Sequence, residues 1–194
     1  MKQSHFFAFL SRMKYINRWG LMRNTRMENL AEHSMEVAML AHGLCVIANV
    51  YFGENLNADR AGILALYHDA SEVITGDMPT PIKYFNPAIK GTYGEIEAIA
   101  NKKIIEMLPE ETQQSYSEIL REKEKEETLW LRVKAADKLS AYIKCIEEQK
   151  AGNQEFKKAA AAILENLRQS PLPEVGYFLD MFMESYALTL DEQD

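Results

Sequence analysis

Apolar residues recur at spacings of three and four along nearly the whole chain, and glycine and proline are sparse, nine and six in 194 residues. That period is helical, and no stretch alternates apolar and polar residues as a half-buried strand does. The pattern predicts an all-α chain. A first helix is expected over residues 4–17, ending near Arg18-Trp19-Gly20, where the glycine suits a C-cap. Beyond a loop through Arg23, Arg26 and Glu28, Asn29-Leu30-Ala31-Glu32 has the spacing of a capping box and opens a helix to about Val50. His33, Val37, Leu40, Leu44 and Ile47 share the inward face of that helix, whereas steps of about 100° per residue carry His42 to the other side.

A third helix is expected from Ala58, capped by Asn57, through Ile74, where Gly76-Asp77-Met78-Pro79-Thr80-Pro81 stops it. A fourth is read over Tyr93 to Met107, and Glu110 to Glu127 forms a charge-rich surface segment to which no chemistry is assigned. From Thr128 to about Lys150, Trp130, Val133, Asp137 and Ser140 fall on one face, and Ala151-Gly152 ends the helix. A helix over 154–169, a Pro171-Leu172-Pro173 linker and a last helix from Glu174 to Leu188 complete the pattern. No repeat or change of composition marks a boundary, so residues 1–194 read as a single domain.

Composition narrows the function classes. A hydrophobic share of 47% beside 26% charged residues is an ordinary globular mix, and no tract reads as a membrane span. The apolar patch Phe6-Phe7-Ala8-Phe9-Leu10 is too short for a secretory signal and is followed by Arg12 and Lys14, so a cytoplasmic protein is expected. Cys45 and Cys145, each alone in a helical pattern, suit buried thiols better than a disulfide. A net charge of −7 lacks the basic footprint that a nucleic-acid polymer requires. A small phosphorylated molecule remains compatible, because one or two arginines and a metal hold it locally.

The chemistry concentrates at His68, Asp69 and Glu72, with Asp77 close behind. On a continuous helix Leu64, His68 and Glu72 stack at i, i+4 and i+8, and Asp69 lies one turn from Glu72. Because Leu64 shares the stripe, these groups should face the core, where charge must be hydrogen-bonded, paired or bound to a metal. Three core-facing helices then supply His33, His68 with Asp69, and Asp137. Two imidazoles and two carboxylates suit a borderline divalent ion such as manganese, cobalt, iron, nickel or zinc. Taken singly, His33 also fits a hydrogen-bonded core histidine, and Asp137 a partner for a buried arginine.

The ordered set Glu32-His33-Ser34, Tyr67-His68-Asp69-Ala70-Ser71-Glu72 and Ala136-Asp137-Lys138 resembles the HD-domain metal-dependent phosphohydrolases. With Arg18-Trp19 and Gly76-Asp77-Met78-Pro79-Thr80-Pro81 added, the chain is similar over its length to the bacterial 5'-deoxynucleotidases of the YfbR type. The resemblance implies an HD-domain helical bundle with an inter-helix metal site. It implies a homodimer that uses one divalent cation, cobalt, manganese or another transition metal, to hydrolyse deoxyribonucleoside 5'-monophosphates to deoxynucleoside and phosphate.

On that reading His33, His68, Asp69 and Asp137 hold the ion, with His33, Asp69 and Asp137 also touching substrate. Glu72 takes or orients the proton of the attacking water, and Arg18 forks two phosphate oxygens. Trp19 walls the sugar against a 2'-hydroxyl, Asp77 grips the 3'-hydroxyl, and Met78, Pro79 and Thr80 line the same edge. Two rivals stand beside it: an HD enzyme acting on another nucleotide phosphate ester, and a non-catalytic helical module that metal merely stabilises.

Overall fold

The long helix α2 (Leu30–Tyr51) runs through the centre of the molecule, and its first turn fixes where it begins. The Asn29 side chain accepts from the backbone N–H groups of Ala31 and Glu32 at 3.0 and 3.1 Å, and the Glu32 carboxylate reaches back to the N–H of Asn29, so the expected capping box forms. The computed structural model describes residues 3–79, 82, 85–120 and 126–193. Among these the fold is helical, as expected, and the strand-like pairing is a single antiparallel bridge between Asn17 and Asn29.

Ahead of α2, α1 (Phe6–Leu10) tightens into a 3-10 turn over Ser11–Tyr15 and stops short of the helix expected over 4–17. The backbone beyond it pairs elsewhere: the Leu30 N–H donates to the Ile16 carbonyl and the Arg18 N–H to the Glu28 carbonyl, both at 2.9 Å. Residues 17–29 are thereby tied off as a loop at its neck, and Gly20 caps no helix.

After α2 come α3 (Ala58–Leu66), the one-turn α4 (Glu72–Thr75), α5 (Pro87–Ile105) and α6 (Glu110–Leu120). Then follow α7 (Glu127–Lys150), α8 (Lys157–Arg168) and α9 (Pro173–Met181), the last succeeded by a 3-10 turn over Met183–Ala187 where a helix to Leu188 was expected. The start of α5 precedes the expected Tyr93, because Asn86 caps it through the Ile89 N–H at 2.8 Å and Pro87 sits in its first turn.

The main core lies where α2, α3 and α7 meet, around Val37, Leu44, Leu64, Val133, Leu139 and Ile143. A smaller cluster of Phe6, Ala70, Ile104 and Leu120 seats the turn after α3. By length and a mean hydropathy of 1.3, α2 is apolar enough to cross a bilayer, which the sequence reading did not anticipate. Its role as the bundle's central helix accounts for that, since ten of its residues are buried, from Leu30 to Ala48. Cys45 and Cys145 are buried free thiols, and burial pushes them up to about 11 and about 12 respectively. His42 lies outside the core, 3.4 Å from the exposed Asp59.

Candidate metal centre

The helix expected to run unbroken from Ala58 to Ile74 ends at Leu66, and the break creates the site. In a continuing helix the Ala65 carbonyl would accept from the N–H of Asp69. Here it accepts from the His68 backbone N–H at 3.2 Å and from His68 Nδ1 at 2.7 Å. The chain tightens through successive turns, Ala70 N–H to Tyr67 and Glu72 N–H to Asp69, before α4 begins. The i, i+4, i+8 stack of Leu64, His68 and Glu72 is therefore not the arrangement adopted. Where the helix ends the His68 ring bonds back to the Ala65 carbonyl, and His68 and Asp69 stand side by side, Nε2 to Oδ2 at 3.1 Å.

His33, on the inward face of α2, brings its Nε2 to 3.6 Å from Asp69 Oδ2 and 3.2 Å from Asp137 Oδ1. Donor atoms of His33, His68 and Asp69 all lie within 4.8 Å of one another. Asp137 adjoins them from α7, in a row with the buried Trp130, Val133 and Ser140; its own side chain is 42% exposed, so the cluster opens to solvent on that side. The alternative pairing of Asp137 with arginine is also present in weaker form, Arg18 Nη2 standing 3.8 Å away.

Do these residues fit a cation? A carbonyl oxygen only accepts, so His68 Nδ1 carries the proton and its Nε2 presents a lone pair toward the carboxylates. The buried Nε2 atoms of His33 and His68 both lack a hydrogen bond. Two orphaned imidazole nitrogens beside carboxylate oxygens are a poor arrangement for neutral packing and a good one for a divalent metal ion of borderline softness. The residues fit.

Charges around the cluster keep its carboxylates ionised. Burial alone would raise the Asp69 carboxyl, but His68, His33 and Arg18 outweigh it and hold Asp69 well below the usual carboxylate range. Burial likewise opposes the ionised form of Asp137, yet His33 and His68 hold that carboxyl down as well. Burial and then Arg18 lower His33, whereas at His68 the burial penalty is overcome by Asp69 and Asp137, which raise it.

Arg18 reaches the cluster from the tied-off loop. Its Nη1 lies 2.7 Å from His33 Nδ1 and donates to Glu28 Oε2 at 2.9 Å, and the guanidinium is kept charged, burial notwithstanding, by Glu28, Asp137, Asp69 and Asp77. Trp19 packs edge-on against Phe156 with centroids 5.3 Å apart, and its indole Nε1 donates to Glu28 Oε2 at 3.0 Å. Glu72 is 5% exposed and opens α4, its N–H bonded to the Asp69 carbonyl. Gly76, at φ 72°, turns the chain where a side chain would be strained, and the partly buried Asp77, Met78 and Pro79 follow. Burial raises the Asp77 carboxyl, with the Arg18 charge acting against it. Thr80 lies outside the described residues.

Three contributors escaped the sequence reading. Ser140 sits 3.0 Å from His33 Nδ1 and donates to Glu36 Oε2 at 2.5 Å, and Glu28 joins Arg18 to Trp19. Ser140 was visible as a polar residue in an apolar row of α7; Glu28 and Glu36 carried no signal of their own.

The bundle has the fold of the HD-domain phosphohydrolases. It superposes on one from Listeria innocua with a TM-score of 0.82 at 24% identity, over 94% of this chain and 88% of that one. An HD phosphohydrolase of cyanophage S-2L, solved bound to dA and one catalytic Zn2+ ion, matches with a TM-score of 0.64 at 22% identity over 96% and 97% of the two chains. Residues 5–186 match the YfbR-like 5'-deoxynucleotidases, and the chain belongs to that family. It is 52% identical to a 5'-deoxynucleotidase of Erwinia tasmaniensis, over 99% of this chain and 97% of the relative, and 54% identical to one of Pectobacterium atrosepticum, over 99% and 96%.

Proposed function

We propose that the chain is a metal-dependent 5'-deoxynucleotidase, cleaving deoxyribonucleoside 5'-monophosphates into deoxynucleoside and inorganic phosphate. The observation that carries this reading is the meeting of His33, His68, Asp69 and Asp137 from separate segments, with the Arg18 guanidinium at their edge. Full-length similarity to relatives named 5'-deoxynucleotidases supports the substrate class.

His33, His68, Asp69 and Asp137 would hold the cation, of the manganese, cobalt or zinc kind. Such an ion, when bound, supplies Lewis acidity that makes water a nucleophile near neutral pH. Arg18 pairs with the phosphate, using donors not committed to Glu28, and so balances charge that the acidic cluster would otherwise repel. Glu72 takes a proton from the attacking water as its oxygen bonds to phosphorus, and returns it to the 5'-oxygen as the P–O5' bond breaks and the deoxynucleoside leaves. Trp19 walls the sugar, Asp77 receives the 3'-hydroxyl, and Met78 and Pro79 border them. His33, Asp69 and Asp137 also flank the phosphate.

The chain acts as a cytoplasmic homodimer in this reading. Two buried free thiols suit a reducing compartment, and the exposed stripe Met35, Met39, Val46 and Val50 along α2 supplies an apolar face for a second copy. Light scattering on the purified protein reads the oligomeric state.

The decisive assay strips the protein with chelator, restores manganese, cobalt or zinc one at a time, and measures phosphate released from dAMP, AMP, dATP and a cyclic dinucleotide. Metal-dependent release from dAMP, well above AMP, is expected. Turnover of dATP or the cyclic dinucleotide alone reassigns the ester. Metal-dependent melting without release from any of them leaves only the stabilised module.

A further inference from the structure

Trp19 is the residue other than glycine with a positive φ, 60°, among those described. An L-residue there gives up roughly 1–2 kcal/mol, more readily tolerated by Asn or Asp than by a bulky indole. Something must hold it. Its ring nitrogen donates to Glu28 Oε2 at 3.0 Å, and the same oxygen accepts from Arg18 Nη1 at 2.9 Å. Both partners are largely shielded, the Arg18 and Glu28 side chains each 13% exposed.

The position of that oxygen is itself fixed. Glu28 stands across the neck of the loop from Arg18, where the Arg18 N–H donates to the Glu28 carbonyl and Asn17 bridges Asn29. The indole is also braced on its other side, packing edge-on against Phe156 with centroids 5.3 Å apart. A single carboxylate oxygen thus joins a guanidinium that borders His33 to an indole seated on Phe156.

We infer that Glu28 is a positioning residue that couples the phosphate grip of Arg18 to the sugar wall of Trp19, and so sets discrimination between deoxyribose and ribose. Contact with substrate is not part of this role. A flat wall rejects one added hydroxyl weakly, by about a hundredfold at most, and only while it is held in register with the group that anchors the substrate. Glu28 supplies that register. Releasing it frees the strained backbone at Trp19 to relax and lets the indole swing from the space a 2'-hydroxyl would occupy.

The inference rests on the deoxynucleotidase reading, and its test separates the two. Glu28→Ala, Glu28→Gln and the wild type are compared on dAMP and AMP, with inorganic phosphate as a competitive probe. Glu28→Ala should lower the dAMP/AMP ratio of kcat/KM roughly tenfold and raise the inhibition constant of phosphate, the scale of losing a charge-assisted hydrogen bond. Glu28→Gln, which keeps an acceptor oxygen in place, should hold the ratio within about twofold.

An activity-free readout is acrylamide quenching of the Trp19 emission, isolated by subtracting Trp19→Phe from the total. Quenching should rise in Glu28→Ala and stay near wild type in Glu28→Gln. A folded Glu28→Ala with wild-type ratio, phosphate affinity and quenching overturns the proposal. Should it unfold, Glu28→Met replaces it; unfolding of both makes Glu28 structural and likewise overturns it. Absence of phosphate release by the wild type defeats the deoxynucleotidase reading instead, while the quenching comparison still decides whether Glu28 holds the indole.

Discussion

Helix α7 carries two polar clusters about two turns apart, and they solve the problem of burial in opposite ways. Near its C-terminal end Glu148, 1% exposed, accepts from the buried Lys144 ammonium, from the Thr25 N–H at 2.9 Å and hydroxyl at 2.6 Å, and from Asn153 Nδ2 at 2.8 Å. Lys144 also donates to the Arg26 carbonyl and Asn153 to that of Arg23, so this cluster is closed on itself. At Asp137 and Ser140 the same helix meets His33, His68 and Asp69, where two ring nitrogens lack hydrogen bonds and carboxylates converge. The first arrangement pins the loop that carries Arg18 and Trp19. The second is left open on the side of Asp137, where the proposed cation and substrate would enter. Saturated burial marks a strut, and unsaturated burial marks a site.

The widest gap between the two clusters should appear in turnover. Glu72→Gln is expected to lose about 10²–10⁴-fold in kcat, the range for removing a general base, with metal content and melting temperature close to wild type. Phosphate release with parallel elemental analysis checks it. A variant that keeps turnover within threefold removes Glu72 from the chemistry.

Stability should show the reverse. Glu148→Ala leaves Lys144 buried without its counter-charge, which costs about 3–5 kcal/mol, whereas His68→Ala in chelator should cost far less. Urea unfolding of both variants without metal measures the difference. Equal losses would erase the distinction between strut and site.

Metal should act on one cluster alone. At a hundred times its dissociation constant a cation adds about 2.7 kcal/mol to the stability of a chain that binds it only when folded. That gain is expected in the wild type and in Glu148→Gln, and should vanish in His68→Ala. A full gain in His68→Ala would move the cation elsewhere.

The sequence exposed the site more fully than the path to it. His33 was legible because the capping box at Asn29 fixes the phase of α2, and Asp137 because an acid in a row with Trp130 and Val133 demands a partner. The end of α3 at Leu66 was not legible. Helical spacing continues through Ile74, and the local bond of the His68 ring to the Ala65 carbonyl leaves no mark in that spacing. The strut was hidden for another reason. Lys144 and Glu148 have the i, i+4 spacing of any surface pair, and nothing in the sequence places Thr25 and Asn153, distant in the chain, around them.

The smallest expected effect separates the clusters by pH. Burial pushes the Glu148 carboxyl up, but Lys144, Thr25 and Asn153 outweigh it and hold it below its ordinary value of 4.5. A group depressed in the folded state stabilises fully above its unfolded pKa, and that stabilisation fades as pH falls toward the folded value. Glu148 should therefore contribute a constant amount from pH 7 to about 5.5 and lose part of it by pH 4. Asp69 and Asp137 are depressed too and slope the same way, so the wild-type curve alone cannot apportion the loss. Glu148→Gln can, because it deletes the strut's titration and leaves the site's intact. Urea unfolding at pH 7, 5 and 4 should give a shallower acid limb for Glu148→Gln than for the wild type. Parallel limbs would mean that Glu148 titrates alike in the folded and unfolded chain, and that its cluster is as open to protons as the site.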